Sequence, residues 1–394
     1  MASEWKNVRA ADFIEFNPRL SIKKGAMATK IAMDKLQPFT KKVPATEQAE
    51  YAGGTKFCNG DTIMARITPC LENGKTAFVD VLADGEIAFG STEFIVMRAR
   101  PGVSDPQFVY YLATSPMFRN VAIKSMVGSS GRQRVQQGVL EALELTVPPL
   151  DEQKKIGAFL AALDQKIALN CKINDNLQQQ AYAYFLRLFV ENADPTWRLG
   201  TISDLGTVVG GGTPSKAKPE YYTDNGIAWI TPKDLSVDKS KFISHGENDI
   251  TDLGYRNSSA TMMPKGTVLF SSRAPIGYIA IANNDLTTNQ GFKSVIPRQE
   301  IGTPYVYYYL IHNLPLIESK ASGSTFKEVS GSVMKSVEAV IPDSTTLAKF
   351  NDFCRPIFEL QAKLEQENRD LATLRDSLLP RLMSGEIDVS TIDI

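Results

Sequence analysis

One stretch constrains the fold of this chain more than any other, a run from Asp151 to Phe189 that contains no proline. Its apolar residues recur at alternating steps of four and three, which is the a/d pattern of a helix that pairs with another helix. At about 1.5 Å per residue, such a helix spans roughly 55 Å, longer than a compact domain needs. The seam, meaning this stripe of a/d positions, consists of Ile156, Leu160, Leu163, Ile167, Asn170, Asn174, Leu177, Ala181, Tyr184 and Leu188.

The same pattern returns 194 residues later, over residues 346–383. With this offset Asn174 falls on Asn368, and in the preceding region Val135 falls on Val329. The chain is therefore predicted to be an internal duplicate, a globular unit followed by a long helix, twice. A buried seam asparagine costs stability but fixes register, so Asn174 and Asn368 are expected to set the helix pairing. The second seam consists of Phe350, Cys354, Ile357, Leu364, Asn368, Leu371, Leu378 and Leu382.

The duplication divides the chain into four predicted segments. They are a globular unit at 1–148, a helix at 149–190, a second globular unit at 191–342, and a second helix with a tail at 343–394. Within the first unit, Asn-Gly turns separate β-rich runs, and residues 105–124 are predicted to be helical with a break near Pro116. The expected fold class is α+β, with two β-rich mixed units in tandem, each followed by a long helix.

Composition narrows the functional classes. The sequence has no run of 18 apolar residues and no apolar signal-like start, which argues against a membrane protein. Its four cysteines and two histidines are scattered, which favours a reducing cytoplasm and argues against a zinc site. Residues 1–150 carry 18 Lys and Arg against 15 Asp and Glu, and residues 191–343 carry 14 against 16. A domain that binds DNA alone is usually more basic, so either DNA is not the ligand or a partner supplies much of the phosphate contact.

The sequence contains no recognisable catalytic constellation. The glycine-rich segment 206–216 does not match a phosphate-binding loop, because Lys216 follows Ser215 rather than glycine. No GxGxxG motif follows a strand, which removes the simplest dinucleotide or methyl-donor signature. The chain is therefore expected to be no enzyme and to bind no cofactor or metal of its own.

Each globular unit does contain a mixture of basic, amide, hydroxyl and aromatic residues near turns. Arginine reads guanine edges, asparagine or glutamine reads adenine edges, and lysine or hydroxyl groups hold phosphates. A solvated loop is the alternative interpretation for each residue, and the loop at 131–135, with two arginines flanking a glutamine, is the strongest candidate. In the first unit the candidates are Arg66, Thr68, Lys75, Ser129, Ser130, Arg132, Gln133 and Arg134. In the second they are Lys216, Lys218, Tyr221, Tyr222, Lys233, Arg273, Asn289, Gln290, Ser324 and Lys327, with Arg273 matched to Arg66.

When the two halves of the duplicate are aligned, the chain resembles the specificity subunits of type I restriction–modification systems over essentially its whole length. The resemblance rests on TVPPLDEQKKIGAFLAALDQKI at the first long helix, on LLPRLMSGEI at the end of the second, and on DLGTVVGGGTPSKAKPEYYTDNGIAWITPKDL in the second unit. Two features depart from the family pattern. The first unit has no GGTP-like opening, and PDSTTLAKF rather than PPLDEQKKI leads into the second helix.

The resemblance implies that each globular unit is a target recognition domain reading one half of a bipartite sequence in double-stranded DNA. The two helices would form an antiparallel coiled coil with pseudo-two-fold symmetry, holding the domains about one DNA turn apart, roughly 34 Å. They would also dock two modification subunits, which bind S-adenosylmethionine and methylate adenine at N6. Restriction subunits that use ATP and Mg²⁺ would join the same assembly.

Two other functions compete with this interpretation. A coiled-coil tether carrying two protein-binding adaptor domains fits the helical pattern equally well. A fused restriction–modification enzyme is disfavoured by the missing methyl-donor and nuclease signatures and by the length of the chain.

Overall fold

The computed structural model describes residues 5–129, 131–323 and 327–389. The chain forms two compact units, Met1–Ala168 with Arg369–Ile394, and Leu169–Asn368. Both boundaries between the units lie within the long helices, whereas the sequence pattern treated each helix as a segment of its own. The difference arises because each part of a long helix packs on the globular part beside it.

The long helices begin close to where the seam pattern places them. Helix α5 spans Leu150–Leu186 and continues as a π-helical turn over Arg187–Glu191, and helix α12 spans Ser344–Met383. The predicted break near Pro116 is present, because helix α2 ends at Thr114 and helix α3 begins at Pro116. The short helices are α1 Ala10–Phe13, α2 Pro106–Thr114, α3 Pro116–Lys124, α4 Gln137–Glu141, α6 Ile202–Leu205, α7 Pro232–Val237, α8 Asp252–Arg256, α9 Thr303–His312, α10 Leu314–Ser319 and α11 Gly331–Ser336, with a 3-10 turn at Pro219–Tyr221.

The described residues of the first unit form three small sheets. Strand β1 pairs with β10, a four-stranded sheet has the order β2-β9-β6-β7, and another has the order β4-β3-β8-β5. The β3–β8 pair is parallel, whereas the other pairs in this unit are antiparallel. The strands are β1 Lys6–Arg9, β2 Ile14–Phe16, β3 Met27–Ile31, β4 Glu47–Glu50, β5 Lys56–Phe57, β6 Thr62–Ala65, β7 Thr76–Phe78, β8 Ala88–Gly90, β9 Phe94–Ala99 and β10 Glu144–Val147.

The second unit has a similar arrangement with one additional strand, β15, which pairs in parallel with β18. Strand β11 pairs with β21, a five-stranded sheet has the order β12-β20-β17-β18-β15, and a four-stranded sheet has the order β13-β16-β14-β19. The parallel β14–β19 pair corresponds to β3–β8 of the first unit. The strands are β11 Arg198–Thr201, β12 Gly206–Gly210, β13 Tyr222–Thr223, β14 Ile227–Ile230, β15 Phe242–Ile243, β16 Asn248–Ile250, β17 Val268–Ser272, β18 Ile276–Ala282, β19 Thr287–Thr288, β20 Lys293–Pro297 and β21 Glu338–Ile341.

Each unit has a main hydrophobic core in which a sheet, a tyrosine-containing helix and both long helices meet. In the first unit Tyr111 of α2 is buried with Leu160 of α5 and Leu382 of α12. In the second unit Tyr308 of α9 is buried with Phe185 of α5 and Phe350 of α12. Burial of large apolar side chains is the dominant stabilising contribution to such cores. All seam residues of both helices are buried or half-buried.

Within the second unit, the contacts between α5 and α12 run in opposite residue order. The Asn170 amide donates to Asn368 Oδ1 at 3.0 Å, Gln361 donates to the carbonyl oxygen of Asn174 at 3.1 Å, and the rings of Tyr184 and Phe353 lie 4.6 Å apart. Partner numbers on α12 fall as those on α5 rise. These two helix stretches are therefore antiparallel.

Asn170, rather than Asn174, is the side chain that bonds to Asn368. Asn170 is fully buried, and its amide also donates to Glu367 Oε2 at 3.0 Å. The Oδ1 atoms of Asn170 and Asn174 are both buried and have no hydrogen-bond partner among the described residues. The offset of 194 residues aligns Asn174 with Asn368 as equivalent positions of the duplicate, but equivalent residues of two antiparallel helices face each other only at the midpoint of the pair.

Replacing these asparagines with leucine should therefore affect stability differently, because the Asn170 amide donates to both Asn368 and Glu367. Asn170→Leu removes a donor shared by Asn368 and Glu367, and we expect it to lower the free energy of unfolding by about 1–3 kcal/mol. Asn174→Leu removes an unpaired buried oxygen and keeps the backbone bond to Gln361, so it should be neutral or stabilising by about 1 kcal/mol. Urea unfolding of both variants tests this. A larger loss for Asn174→Leu would contradict it.

Candidate nucleic-acid interface

Three backbone segments of the first unit meet beside the end of β6. The Val135 amide donates to the Arg66 carbonyl at 2.9 Å, the Thr68 amide donates to the Gln133 carbonyl at 3.0 Å, and the Arg66 amide donates to the Glu93 carbonyl at 2.9 Å. Val127 and Arg134 exchange backbone hydrogen bonds that close the intervening loop. We call residues 66–68, 91–93, 127–129 and 131–135 the first turn cluster.

The second unit builds the same backbone frame. The Val329 amide donates to the Ser272 carbonyl at 3.0 Å, the Ser272 amide donates to the Gly291 carbonyl at 2.7 Å, and Ser322 exchanges backbone bonds with Glu328. Cis peptide bonds follow the two strand ends at matching places, Thr68–Pro69 and Ala274–Pro275. We call residues 272–274, 289–291, 322–323 and 327–329 the second turn cluster.

This frame corrects one correspondence predicted from sequence. The Arg66 carbonyl accepts a hydrogen bond from the Val135 amide, and the Ser272 carbonyl accepts one from the Val329 amide. Ser272 is therefore the counterpart of Arg66. Arg273 therefore corresponds to Ile67. Matching by residue type gave the wrong register, because backbone hydrogen bonds rather than side-chain chemistry fix the position of a residue in the frame.

In the first turn cluster, Arg134 forms a two-pronged ion pair with Glu93. Its Nε lies 3.0 Å from both carboxylate oxygens, and Nη2 lies 2.6 Å from Oε1. The hydrogen bond from Arg134 lowers the pKa of Glu93, which keeps the carboxylate charged. Arg66 Nη2 donates to the Val135 carbonyl at 3.3 Å, while its buried Nε has no partner in the part of the chain described.

The other candidates in this region differ in exposure. Ser129 and Arg132 are exposed, whereas Thr68 and Gln133 are half-buried. Ser130 lies outside the described residues. Lys75 is not part of the turn cluster, since its ammonium donates to the Met33 carbonyl at 3.0 Å. The structure therefore brings Arg66, Thr68, Gln133 and Arg134 together and gives Lys75 a bond elsewhere in the unit.

The second turn cluster also holds an arginine–glutamate pair, with looser geometry. Glu328 lies 3.4 Å from Arg273 Nη1 and 3.6 Å from the Lys293 ammonium. Asn289 Oδ1 accepts from the Gly291 amide at 2.8 Å and so shapes the turn. Gln290 accepts a hydrogen bond from Thr213. Lys327 is exposed, and Ser324 lies outside the described residues.

The glycine-rich opening of the second unit packs against this turn. A side chain on Gly211 would come within 2.1 Å of the Asn289 carbonyl oxygen, and one on Gly212 within 2.3 Å of the backbone of Ser259. Only glycine permits so close a backbone approach. The indole of Trp229 also donates to the Gly212 carbonyl at 2.9 Å. The segment is therefore a fixed support for the turn rather than a phosphate loop.

The remaining candidates of the second unit include both structural and exposed groups. Tyr221 is buried, and the Tyr222 hydroxyl donates to the Pro214 carbonyl at 2.7 Å. Lys216 and Lys218 are exposed, with the Lys218 ammonium 5.1 Å from the centre of the Tyr221 ring. Lys233 is exposed and pairs with Glu247 at 2.5 Å.

The sequence pattern missed the acidic members of both clusters, Glu93 and Glu328. Glu93 lies 41 residues before Arg134, and no spacing rule connects them. The pairing of β6 with β9 places the turn before β9 beside residues 131–135. A carboxylate in a short turn directly before a buried strand is the one signal that could have indicated Glu93.

No helix among the described residues is long and apolar enough to cross a membrane. The model of the type I restriction modification DNA specificity domain matches residues 2–179 and 195–367, so it covers both halves of the duplicate. This match bears out the resemblance that the helices and their flanking sequences indicate.

Individual relatives agree with the family match. The chain is 42% identical over 165 residues to the type I restriction enzyme MjaIX specificity subunit of Methanocaldococcus jannaschii, a match that covers 40% of this chain and 38% of that relative. It is 25% identical over 408 residues to the HindI specificity subunit of Haemophilus influenzae, covering 83% of this chain and 86% of the relative.

A solved structure shows a similar fold. The crystal structure of a type I restriction–modification S subunit from M. genitalium matches with a TM-score of 0.57 and 16% identity, covering 97% of this chain and 96% of that one. The chain is a mixed α+β protein in which two specificity domains accompany long helices. With the family match extending across both globular units, this chain belongs to the family of type I restriction–modification specificity subunits.

Proposed function

We propose that this chain is the DNA-recognition subunit of a type I restriction–modification complex and that each unit reads one half of a bipartite target. One observation carries the proposal: the two turn clusters share a backbone frame but carry different side chains. Arg66 is matched by Ser272, Glu93 by Gly291, and Arg134 by Glu328. A repeated frame with altered hydrogen-bonding groups suits two readers of different base sequences.

The helices fit the role of a spacer and a docking surface. In this proposal α5 and α12 form an antiparallel coiled coil along their whole length and hold the readers about one DNA turn apart, roughly 34 Å. Two modification subunits dock on the assembly, and restriction subunits join it. The partners carry S-adenosylmethionine, ATP and Mg²⁺, and they supply basic surface that this nearly neutral chain lacks. The assembly would work in the cytoplasm.

A methylation map tests the function directly. This chain would be co-expressed with its modification partner in a host without adenine methylation, and N6-methyladenine would be located across the genome. We expect one bipartite motif with a fixed unread gap. A stable complex that adds no motif and shows no salt-dependent binding of duplex DNA would instead favour the protein-binding tether, because neutralised phosphates give a steep salt slope.

The chain alone should transfer no methyl group. Purified without partners and supplied with S-adenosylmethionine and duplex DNA, it is expected to give no turnover. The modification partner alone should give little, and the reconstituted complex should give full turnover. Methyl transfer by this chain alone would contradict the proposed division of labour.

A further inference from the structure

The geometry of the Arg134–Glu93 pair leaves one edge of the arginine open. A guanidinium has five N–H donors in a planar fork. Glu93 engages the Nε side, through Nε and one hydrogen of Nη2. Both hydrogens of Nη1 and the second of Nη2 then point away from Glu93. Among the described residues, no other side-chain or backbone acceptor bonds to this guanidinium.

An arginine that reads a base needs an exposed guanidinium and a more buried partner that holds it. The Arg134 side chain is 45% exposed, whereas its Glu93 partner is only 24% exposed. Arg134 is also held through its backbone, which exchanges hydrogen bonds with Val127. An arginine fixed at its base and open at its tip loses less conformational entropy when its tip binds a ligand.

Two other arginines of this unit lack that combination. Arg98 pairs with Asp61 through Nε and Nη2, each at 2.7 Å, and Nη2 also lies 2.9 Å from Cys58 Sγ. Asp61 is only 1% exposed, so this is an internal ion pair. Arg132 is exposed and its side chain has no hydrogen-bond partner among the described residues, which suits a phosphate contact but fixes no direction.

We propose that Arg134 reads a guanine in the half of the target bound by the first unit and that Glu93 is its positioning residue. The open Nη1–Nη2 edge matches guanine O6 and N7, which both accept hydrogen bonds in the major groove. Glu93 holds the fork in that orientation through a charge-assisted pair. The inference rests on the proposed function. It does not extend to the second unit, where Glu328 is shared by Arg273 and Lys293 at 3.4 and 3.6 Å.

The test uses the complex with its modification subunits and duplexes carrying the mapped motif. Each guanine of the first half-site is replaced in turn by 7-deazaguanine, which lacks the N7 acceptor. For the wild-type complex, one replacement should weaken binding about 10-fold or more. For Arg134→Ala the natural duplex should bind about 10- to 100-fold more weakly, and the 7-deazaguanine replacement should cost nothing further.

The positioning role of Glu93 is tested by asking whether the effect of its substitution on binding depends on the same guanine. Glu93→Gln should weaken binding to the guanine duplex more than to its 7-deazaguanine counterpart, and Glu93→Ala combined with Arg134→Ala should be no worse than Arg134→Ala alone. Arg134→Lys keeps the charge and loses the fork, so it should still lose the base preference. Arg132→Ala is the control, with an equal loss across all duplexes and a shallower salt slope.

The outcomes separate this inference from the proposed function. A uniform loss for Arg134→Ala across all duplexes, or a first half-site without guanine, would overturn the guanine assignment while leaving the bipartite reader intact. Equal effects of Glu93→Gln on all duplexes would overturn its positioning role. A wild-type complex that yields no bipartite motif would overturn the proposed function itself.

Discussion

Replacing Asp164 with alanine is expected to lower the free energy of unfolding by about 3–5 kcal/mol. Asp164 Oδ1 lies 2.6 Å from Arg375 Nη1, and Oδ2 accepts from the Tyr111 hydroxyl at 2.5 Å. The two charged side chains are only 11% and 14% exposed. Without the carboxylate, Arg375 would lose its counter-charge and Tyr111 its hydrogen-bond acceptor, and the loss of a partner costs most for groups that are largely removed from water.

Asp376 provides the matched control, because it contacts the same arginine from an exposed position. Its carboxylate lies 2.8 Å from Arg375 Nη2, but its side chain is 62% exposed. Asp376→Ala should therefore cost only about 0–1 kcal/mol. Urea unfolding followed by circular dichroism measures both variants. Equal losses of unfolding free energy in the two variants would show that burial does not increase the contribution of the Asp164–Arg375 pair to stability.

Stability should also rise steeply with pH because of Lys241. Its side-chain nitrogen is buried, 2.9 Å from Gln361 Oε1 and 3.0 Å from Gln178 Oε1, with the centre of the Phe358 ring at 3.4 Å. Burial lowers the pKa of Lys241 to about 6, although Cys354 and Glu365 oppose the shift. In the unfolded chain, lysine stays protonated up to a pKa of about 10.4.

The direction in which stability changes with pH depends on how many protons the folded and unfolded states bind. Between these two pKa values the unfolded state binds one more proton than the folded state, so the free energy of unfolding increases with pH. The unfavourable contribution of the buried lysine is full below pH 6 and disappears as the pH approaches 10.4. The expected slope is about 1.4 kcal/mol per pH unit.

Unfolding of the wild type and of Lys241→Met in guanidinium chloride at pH 6.5, 7.0 and 7.5 tests this. Lys41, whose pKa burial lowers to about 8, contributes little in that window. Lys241→Met should remove the slope even if it changes the stability at any single pH, and Lys239→Met, at an exposed position, should keep it. An unchanged slope in Lys241→Met would mean that Lys241 stays charged in the folded protein.

The accuracy of the sequence-based prediction depended on how local each feature is. The long helices and the break at Pro116 depend on neighbouring residues, and they lie within about two residues of their predicted positions. The internal repeat was visible because the two halves share residues at a constant offset. Candidate residues at turns were identified by type alone, which explains why exposed Arg132 and internally bonded Lys75 were grouped together.

The sequence by itself determined the duplication, the α+β class, the two helices and the family, because periodicity and local motifs are properties of short stretches of chain. Tertiary structure decided which side chains meet: Asn170 rather than Asn174 faces Asn368, and Glu93 pairs with Arg134. These contacts join residues far apart in the chain. Antiparallel helix packing and strand pairing determine which of these residues face each other. Neither can be predicted from the order of residues within a short stretch of chain.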